Sequence, residues 1–297
     1  MGKLQDRVAV ITGAGRGIGR EHALLFAAEG ARVVVNDLGG TARGEGADAS
    51  AAEQVVAEIE AAGGQAVANH DDVADWDGAQ RLIDTALDVF GDLHVLVNNA
   101  GILRDRMVAN MSEEEWDSVI HVHMKGHFCP TRHAAAYWRD RSKAGDEVNA
   151  SIINTASTSG LFGNVGQFNY GAAKMGIGAM TIIASKELAR YGVRVNAIAP
   201  AARTRLTEGL GMGEPDPESF DMMDPANVSP FVGYLATADC PINGRAFMVL
   251  GGTISLFQPW AIVDGITKDG RWSIDELEAE GSRFAEFAFE LNDPFSL

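Results

Sequence analysis

The sequence predicts an α/β protein: a doubly wound, seven-stranded parallel sheet flanked by helices. Three observations carry this expectation. Short apolar runs rich in β-branched residues alternate with segments of helical spacing along most of the chain. The runs are apolar at nearly every position, as in strands covered on both faces. The first of them leads into a glycine-rich turn that opens a helix.

Residues 7–12 form the first apolar run, and residues 18–29 carry apolar side chains at helical spacing. A second strand, RVVVN at 32–36, precedes a Gly-rich loop at 38–46. Residues 51–62 read as helix, 65–69 as strand, and 77–90 as a helix with Leu82, Ile83, Ala86 and Val89 inward. The strand at 94–98 is followed by one or two helices across 112–139, then a strand at 150–155. A helix over 169–191 leads to a strand at 193–199, and the last strand, 246–250, follows a polar, Pro-containing stretch. Residues 204–230, rich in Gly, Pro, Met and acidic residues, read as a mobile lid near the strand C-termini or a plain surface loop.

Composition narrows the possibilities. The 297 residues are 46% hydrophobic and 22% charged, which excludes a disordered chain. We expect a single domain over residues 1–255 and an extension over 256–297. Twenty-four basic against 41 acidic residues leave a net charge of −17, which argues against nucleic-acid or anionic-membrane binding but permits a local basic pocket. Cys129 and Cys240 are too few for a disulfide framework or a zinc site, and no metal is expected. The N-terminus shows no signal-peptide pattern and no apolar run approaches ~20 residues, so a soluble, cytoplasmic protein is expected.

The turn after the first strand reads Thr12-Gly-Ala-Gly-Arg-Gly-Ile-Gly19. Glycines let a backbone approach a pyrophosphate closely, while a helix N-terminus offers free N–H groups and positive potential. In this strand–turn–helix context the turn predicts dinucleotide binding at Gly13, Arg16, Gly17, Ile18 and Gly19. Asp37 closes the second strand, where a carboxylate accepts the adenosine ribose hydroxyls and repels a 2′-phosphate. Arg16 pulls the other way, but Asp37 would sit at the ribose itself, so NAD is expected over NADP. Asp72-Val73 follows the third strand; the carboxylate either meets the adenine amine or serves a helix N-terminus. Asn98-Asn99-Ala100-Gly101 follows the fourth strand, and these residues suit both cofactor contact and bracing of the sheet.

Tyr170 and Lys174 are four apart, so on a helix they share a face. Ser157 lies upstream, just past a predicted strand. A phenol has an ordinary pKa of about 10, and a neighbouring ammonium is expected to bring it toward working pH. A serine hydroxyl nearby can hold a substrate oxygen. Together the three make a proton-transfer set.

TGAGRGIG, NNAG, Ser157, the Tyr170/Lys174 pair and Pro200 together resemble the short-chain dehydrogenase/reductase superfamily over about residues 5–255. The resemblance implies a Rossmann-type fold, Tyr170 as general acid–base, Lys174 lowering its pKa and binding the nicotinamide ribose, and Ser157 positioning the substrate oxygen. It also places Pro200 beside the nicotinamide carboxamide. VVVNDLGG at 33–40, NNAGILRDR at 98–106, VHMKGHF at 122–128 and GNVGQFNYGAAK at 163–174 look like one branch. That branch is the dehydrogenase domains of the peroxisomal multifunctional enzyme type 2 family, also called 17β-hydroxysteroid dehydrogenase type 4, with its stand-alone bacterial relatives. The branch implies NAD-dependent oxidation of (3R)-hydroxyacyl-CoA in fatty-acid or steroid side-chain breakdown.

Two positions depart from the superfamily pattern. His123 stands where most members carry an asparagine that serves a proton relay; it acts through its backbone or is a packed core histidine. The usual Pro-Gly-x-x-x-Thr reads Pro200-Ala-Ala-Arg-Thr-Arg205, which puts Thr204 one place early. Arg104, Arg106, Arg203 and Arg205 lie beyond strand C-termini, where they would supply cations for an acyl-CoA or remain surface charges. The extension, apolar in ISLFQPWAIVDGI and amphipathic over 273–291, is expected to pack on the domain or at a subunit contact of a homodimer or homotetramer. The competing functions are a dehydrogenase of a free hydroxysteroid or other secondary alcohol, and a non-catalytic nucleotide-binding subunit.

Overall fold

The computed structural model describes residues 2–46, 48–207 and 219–286. Seven parallel strands, β1 (Val8–Thr12), β2 (Arg32–Asn36), β3 (Gln65–Asn69), β4 (Val95–Asn98), β5 (Ala150–Thr155), β6 (Val193–Ala201) and β7 (Ala246–Leu250), form the sheet. Their spatial order is β3-β2-β1-β4-β5-β6-β7. The winding reverses between β1 and β4, so a crevice opens beyond their C-terminal ends, where such sheets bind ligands.

Helices cover both faces. Ala9 and Ile11 of β1 pack with Phe26 of α1 (Gly17–Ala28), Val55 and Ile59 of α2 (Ser50–Ala61), and Val232 and Leu235 of α8 (Ser229–Ala236). Val8 and Val10 point the other way, to Leu82 and Ile83 of α3 (Trp76–Phe90) and Ala134 and Trp138 of α5 (Gly126–Ala144). Each large side chain fully buried this way stabilises the fold by roughly 1.5–3 kcal/mol. Trp138 also needs a partner for its indole N–H, which donates to the Leu93 carbonyl at 2.7 Å.

Three details differ from expectation. The seven parallel strands are joined by an eighth, because β8 (Thr253–Leu256) turns back through Gly251-Gly252 and pairs antiparallel with β7. Gly251 takes φ +52°, as a two-residue hairpin turn requires. Val89 is exposed: the inward stripe of α3 continues from Ala86 to Phe90, one position further on. The stretch before β7 also holds α8, whose first turn tolerates Pro230 because an N-terminal helical residue has no intrahelical N–H bond to lose. Within the predicted lid, residues 208–218 lie outside the described ones. The described ends are joined by a hydrogen bond from the Arg203 N–H to the Met223 carbonyl at 2.6 Å.

The chain divides into two compact units, Met1–Phe257 and Gln258–Leu297. The second contains α9 (Ile274–Gly281), started by a capping box between Ser273 and Glu276 and supported by Lys268 on Glu276 at 2.6 Å. The end of the predicted amphipathic run, beyond residue 286, lies outside the described residues. Among the described residues no helix is long and apolar enough to cross a membrane.

Candidate active site

The crevice at β1 and β4 is stitched by short polar contacts. The Thr12 hydroxyl accepts the Asn99 and Ala100 N–H groups at 2.9 and 3.1 Å. The Asn99 amide donates to the Thr12 and Gly13 carbonyls at 3.0 and 3.1 Å. A Cβ on Gly19 would stand 2.2 Å from the Gly13 carbonyl oxygen, so only glycine lets α1 approach this turn. Asn99 and Ala100 therefore hold the glycine turn in place. Asn98 braces the sheet instead, donating to Thr131 and to Asn154 at 3.0 and 2.9 Å.

The turn fits a dinucleotide. Arg16 precedes α1 in extended conformation and its side chain does not cap the helix, whose first turn thus offers N–H groups and positive potential to an anion. Asp37 lies against the same turn, accepting from Gly15 N–H at 2.8 Å and Gly39 N–H at 2.7 Å. Arg16 pairs with Asp48 at 3.4 Å, which offsets the charge that would welcome a 2′-phosphate. The Asp72 carboxylate accepts from Ala74 N–H at 2.8 Å, while the cap of α3 is Asp75; Val73 is buried. Pro200 lies near the end of β6, and Thr204 beyond it packs at Gly17, a Cβ on which would be 3.4 Å from the threonine methyl. The altered Pro200–Arg205 segment thus still reaches the glycine turn.

The proton-transfer set assembles next to this crevice. Ser157 follows β5 and caps α6 (Thr158–Leu161), while Tyr170 and Lys174 project from α7 (Phe168–Leu188). The Ser157 hydroxyl lies near the Tyr170 phenol and favours its ionised form. Lys174 is buried, donates to the Thr155 carbonyl at 2.5 Å, and lies 5.4 Å from the Tyr170 ring centroid.

In the protein without a bound cofactor, burial is the largest influence on the phenol. Burial raises the Tyr170 pKa to about 12, with Ser157 lowering it and Asp105 raising it in part. Burial also pulls Lys174 down to about 7. The Lys174 amine donates to a backbone carbonyl and lies over the Tyr170 ring. The protein alone rests with a protonated phenol, and an added positive charge in the crevice would favour the phenolate.

His123 sits in a π-helical turn, His121–Lys125, between α4 (Glu113–Ile120) and α5. Its Nε2 lies 2.8 Å from the Ile102 carbonyl oxygen and 3.2 Å from the Ile102 nitrogen, and its ring packs edge-on against Tyr170 with centroids 5.1 Å apart. A Cβ on Gly101 would come within 2.5 Å of that ring. Burial, and then Lys174, hold its pKa well below the usual histidine value, so it stays neutral. His123 is a packed residue touching the tyrosine.

The arginines are engaged. Arg104 faces Glu114 at 3.5 Å and Glu45 at 3.8 Å, Arg106 holds Glu115 at 2.7 Å, and Arg203 holds Asp221 at 2.6 Å. Arg205 donates to the Gly40 carbonyl at 3.0 Å. Three of the four expected substrate cations therefore carry carboxylate partners. Sequence reasoning missed His127, buried one helical turn after His123, and Asn169, buried beside Tyr170. The only signal for Asn169 was its place next to the tyrosine.

Comparison with known proteins matches residues 7–211 to the short chain dehydrogenase family. The chain belongs to this family. Hydroxyacyl-CoA dehydrogenase ChsB1 of Mycobacterium tuberculosis is 45% identical over 286 residues, covering 93% of this chain and 87% of its own length. Peroxisomal multifunctional enzyme type 2 of Drosophila melanogaster is 48% identical over 245 residues, 82% of this chain but 39% of that longer protein. The crystal structure of a short chain dehydrogenase from Mycobacterium avium matches with a TM-score of 0.87 at 53% identity, covering 97% of each chain. Family membership and these relatives make the chain an oxidoreductase acting on a CH–OH group, in a family that uses nicotinamide dinucleotides.

Proposed function

We propose that the protein oxidises a (3R)-3-hydroxyacyl-CoA to the 3-oxoacyl-CoA with NAD, in fatty-acid or steroid side-chain breakdown. The gathering of Ser157, Tyr170 and Lys174 beside an uncapped glycine turn is the observation that carries this reading. Once its own proton has passed to solvent, Tyr170 as phenolate takes the proton of the C3 hydroxyl, Ser157 holds its oxygen, and the C3–H bond gives up its electron pair as hydride. When bound, oxidised nicotinamide accepts that hydride and brings a positive charge close to the phenol. Lys174 contributes as a donor to the ribose and as a partial cation. The preference for NAD rests on Asp37 and on the pairing of Arg16 with Asp48. The acyl-CoA assignment rests on the names of the relatives in two branches.

One observation favours a second reading. With Arg104, Arg106 and Arg203 all paired to carboxylates, the crevice offers few free cations to the phosphates of CoA, which suits an uncharged hydroxysteroid or other secondary alcohol. An NAD-reduction assay across (3R)- and (3S)-hydroxyacyl-CoAs, with a free 17β-hydroxysteroid as control, separates the two. Turnover of the (3R) thioester alone is expected; activity only on the free steroid would reverse the assignment. Tyr170→Phe is expected to abolish turnover.

A further inference from the structure

The first turn of a helix leaves backbone N–H groups that need acceptors. At the start of α7 the capping position, Gln167, offers no side chain to them. Asn169 does so instead. Fully buried, its Oδ1 accepts the Tyr170 N–H at 2.7 Å. Its Nδ2 donates to the Arg104 carbonyl at 3.0 Å and the Glu115 carbonyl at 2.9 Å. One amide thus ties three separate pieces of chain together: the loop after β4, helix α4, and the turn that carries the tyrosine.

Further contacts fasten the same pieces. The Arg106 guanidinium donates to one Glu115 oxygen through both Nε at 3.1 Å and Nη2 at 2.7 Å, a charge-assisted pair. The second Glu115 oxygen accepts the Ser112 N–H at 3.0 Å and closes the start of α4. The Arg106 N–H donates to the Gly166 carbonyl at 2.7 Å, and the Gln167 amide donates to Asp105 at 2.9 Å. Ser157 belongs to another part of the chain, the end of β5. Its closeness to the Tyr170 phenol therefore depends on where α7 begins, and these contacts set that point.

We infer that Asn169, backed by the Arg106–Glu115 pair, is a positioning residue that sets the Tyr170 phenol against Ser157. This rests on the proposal that Tyr170 is the acid–base group. Neither Asn169 nor Glu115 is a catalytic residue. They act through the register of α7, and a displacement of about 1 Å at a reacting group can cost about a hundredfold in rate.

The test uses the full chain and three variants: Asn169→Ala, Arg106→Met and Tyr170→Phe. Four quantities are read: the single-turnover rate of NADH formation with a (3R)-hydroxyacyl-CoA, its dependence on pH, the Kd for NAD, and Tm. Asn169→Ala is expected to slow the chemical step about a hundredfold while the NAD Kd stays near wild type. Its pH profile should shift, because the phenol has lost its fixed relation to Ser157. Arg106→Met, at the rim, should move both readouts the same way by less, and it decides the matter if Asn169→Ala does not fold. Wild-type rate and pH profile in a folded variant overturn the inference. So does a slower step matched by an equal loss of NAD affinity, which marks a general structural role. Full turnover in Tyr170→Phe would instead overturn the reading of the site, whatever the clamp variants do.

Discussion

At the scale of single residues, burial governs the site more than neighbouring charge does. Lys174 has its pKa lowered to about 7 by desolvation alone. Between that value and its unfolded value of about 10.4, the unfolded chain holds a proton that the native chain lacks, so stability rises with pH across this window. Below about pH 7 both states are protonated and the native state carries the full cost of a buried ammonium. Chemical unfolding of the ligand-free protein from pH 6.5 to about 9.5 should show this rise, and Lys174→Met should flatten it. A wild-type slope retained in the variant would assign the effect to another group. Tyr170 acts later and with the opposite sign: with a native pKa raised to about 12, it keeps its proton while the unfolded phenol loses its own, so stability falls above about pH 10. Asp37 makes a second residue-scale case. Its carboxylate already accepts two backbone N–H groups, so it is held in one orientation for a ribose. Asp37→Ala should weaken NAD use by about 1.5–3 kcal/mol in kcat/KM and narrow the preference over NADP. An unchanged ratio of the two cofactors would remove Asp37 as the discriminator.

At the scale of elements, the parts that carry local spacing are legible in the amino-acid sequence. The strand–helix alternation, the glycine turn and the four-residue step from Tyr170 to Lys174 each depend on residues close together in the chain. What is not legible depends on contacts between distant segments: Asn169 reaches Arg104 across 65 positions, and the arginine partners are set by how loops lie together. Strand β8 has a local signal, a Gly-Gly turn followed by the alternation Thr-Ile-Ser-Leu, but it merges with the apolar extension that follows it. The π-helical turn between α4 and α5 has none. That turn delivers His123 to Gly101 and Tyr170, and it makes a specific demand. Gly101→Ala would place a methyl group 2.5 Å from the His123 ring, which also packs edge-on against Tyr170. We expect a loss of about 1–3 kcal/mol in stability, as for other overpacked sites, with a larger fractional loss in kcat than in NAD affinity. Equal losses in both would mean that the strain spreads into the glycine turn and does not act through His123.

At the scale of the whole molecule, charge and substrate are in tension. The chain carries a net −17, and an acyl-CoA is itself multiply negative, so the long-range field opposes their encounter. Local cations overcome such a field only where they are unneutralised, yet Arg104, Arg106 and Arg203 each face a carboxylate within 4 Å. Salt shortens the reach of the repulsion to about 8 Å at physiological ionic strength, from about 30 Å at 0.01 M. At saturating NAD, kcat/KM for a (3R)-hydroxyacyl-CoA should therefore rise severalfold between those salt concentrations, while the value for an uncharged hydroxysteroid stays flat. The steroid serves as the control for any effect of salt on the protein itself. A fall in the acyl-CoA value with salt would show that a local basic surface governs capture despite the overall charge. Arg205, whose described contact is to a backbone carbonyl and not to a carboxylate, is then the first residue to replace, because its removal should abolish that fall.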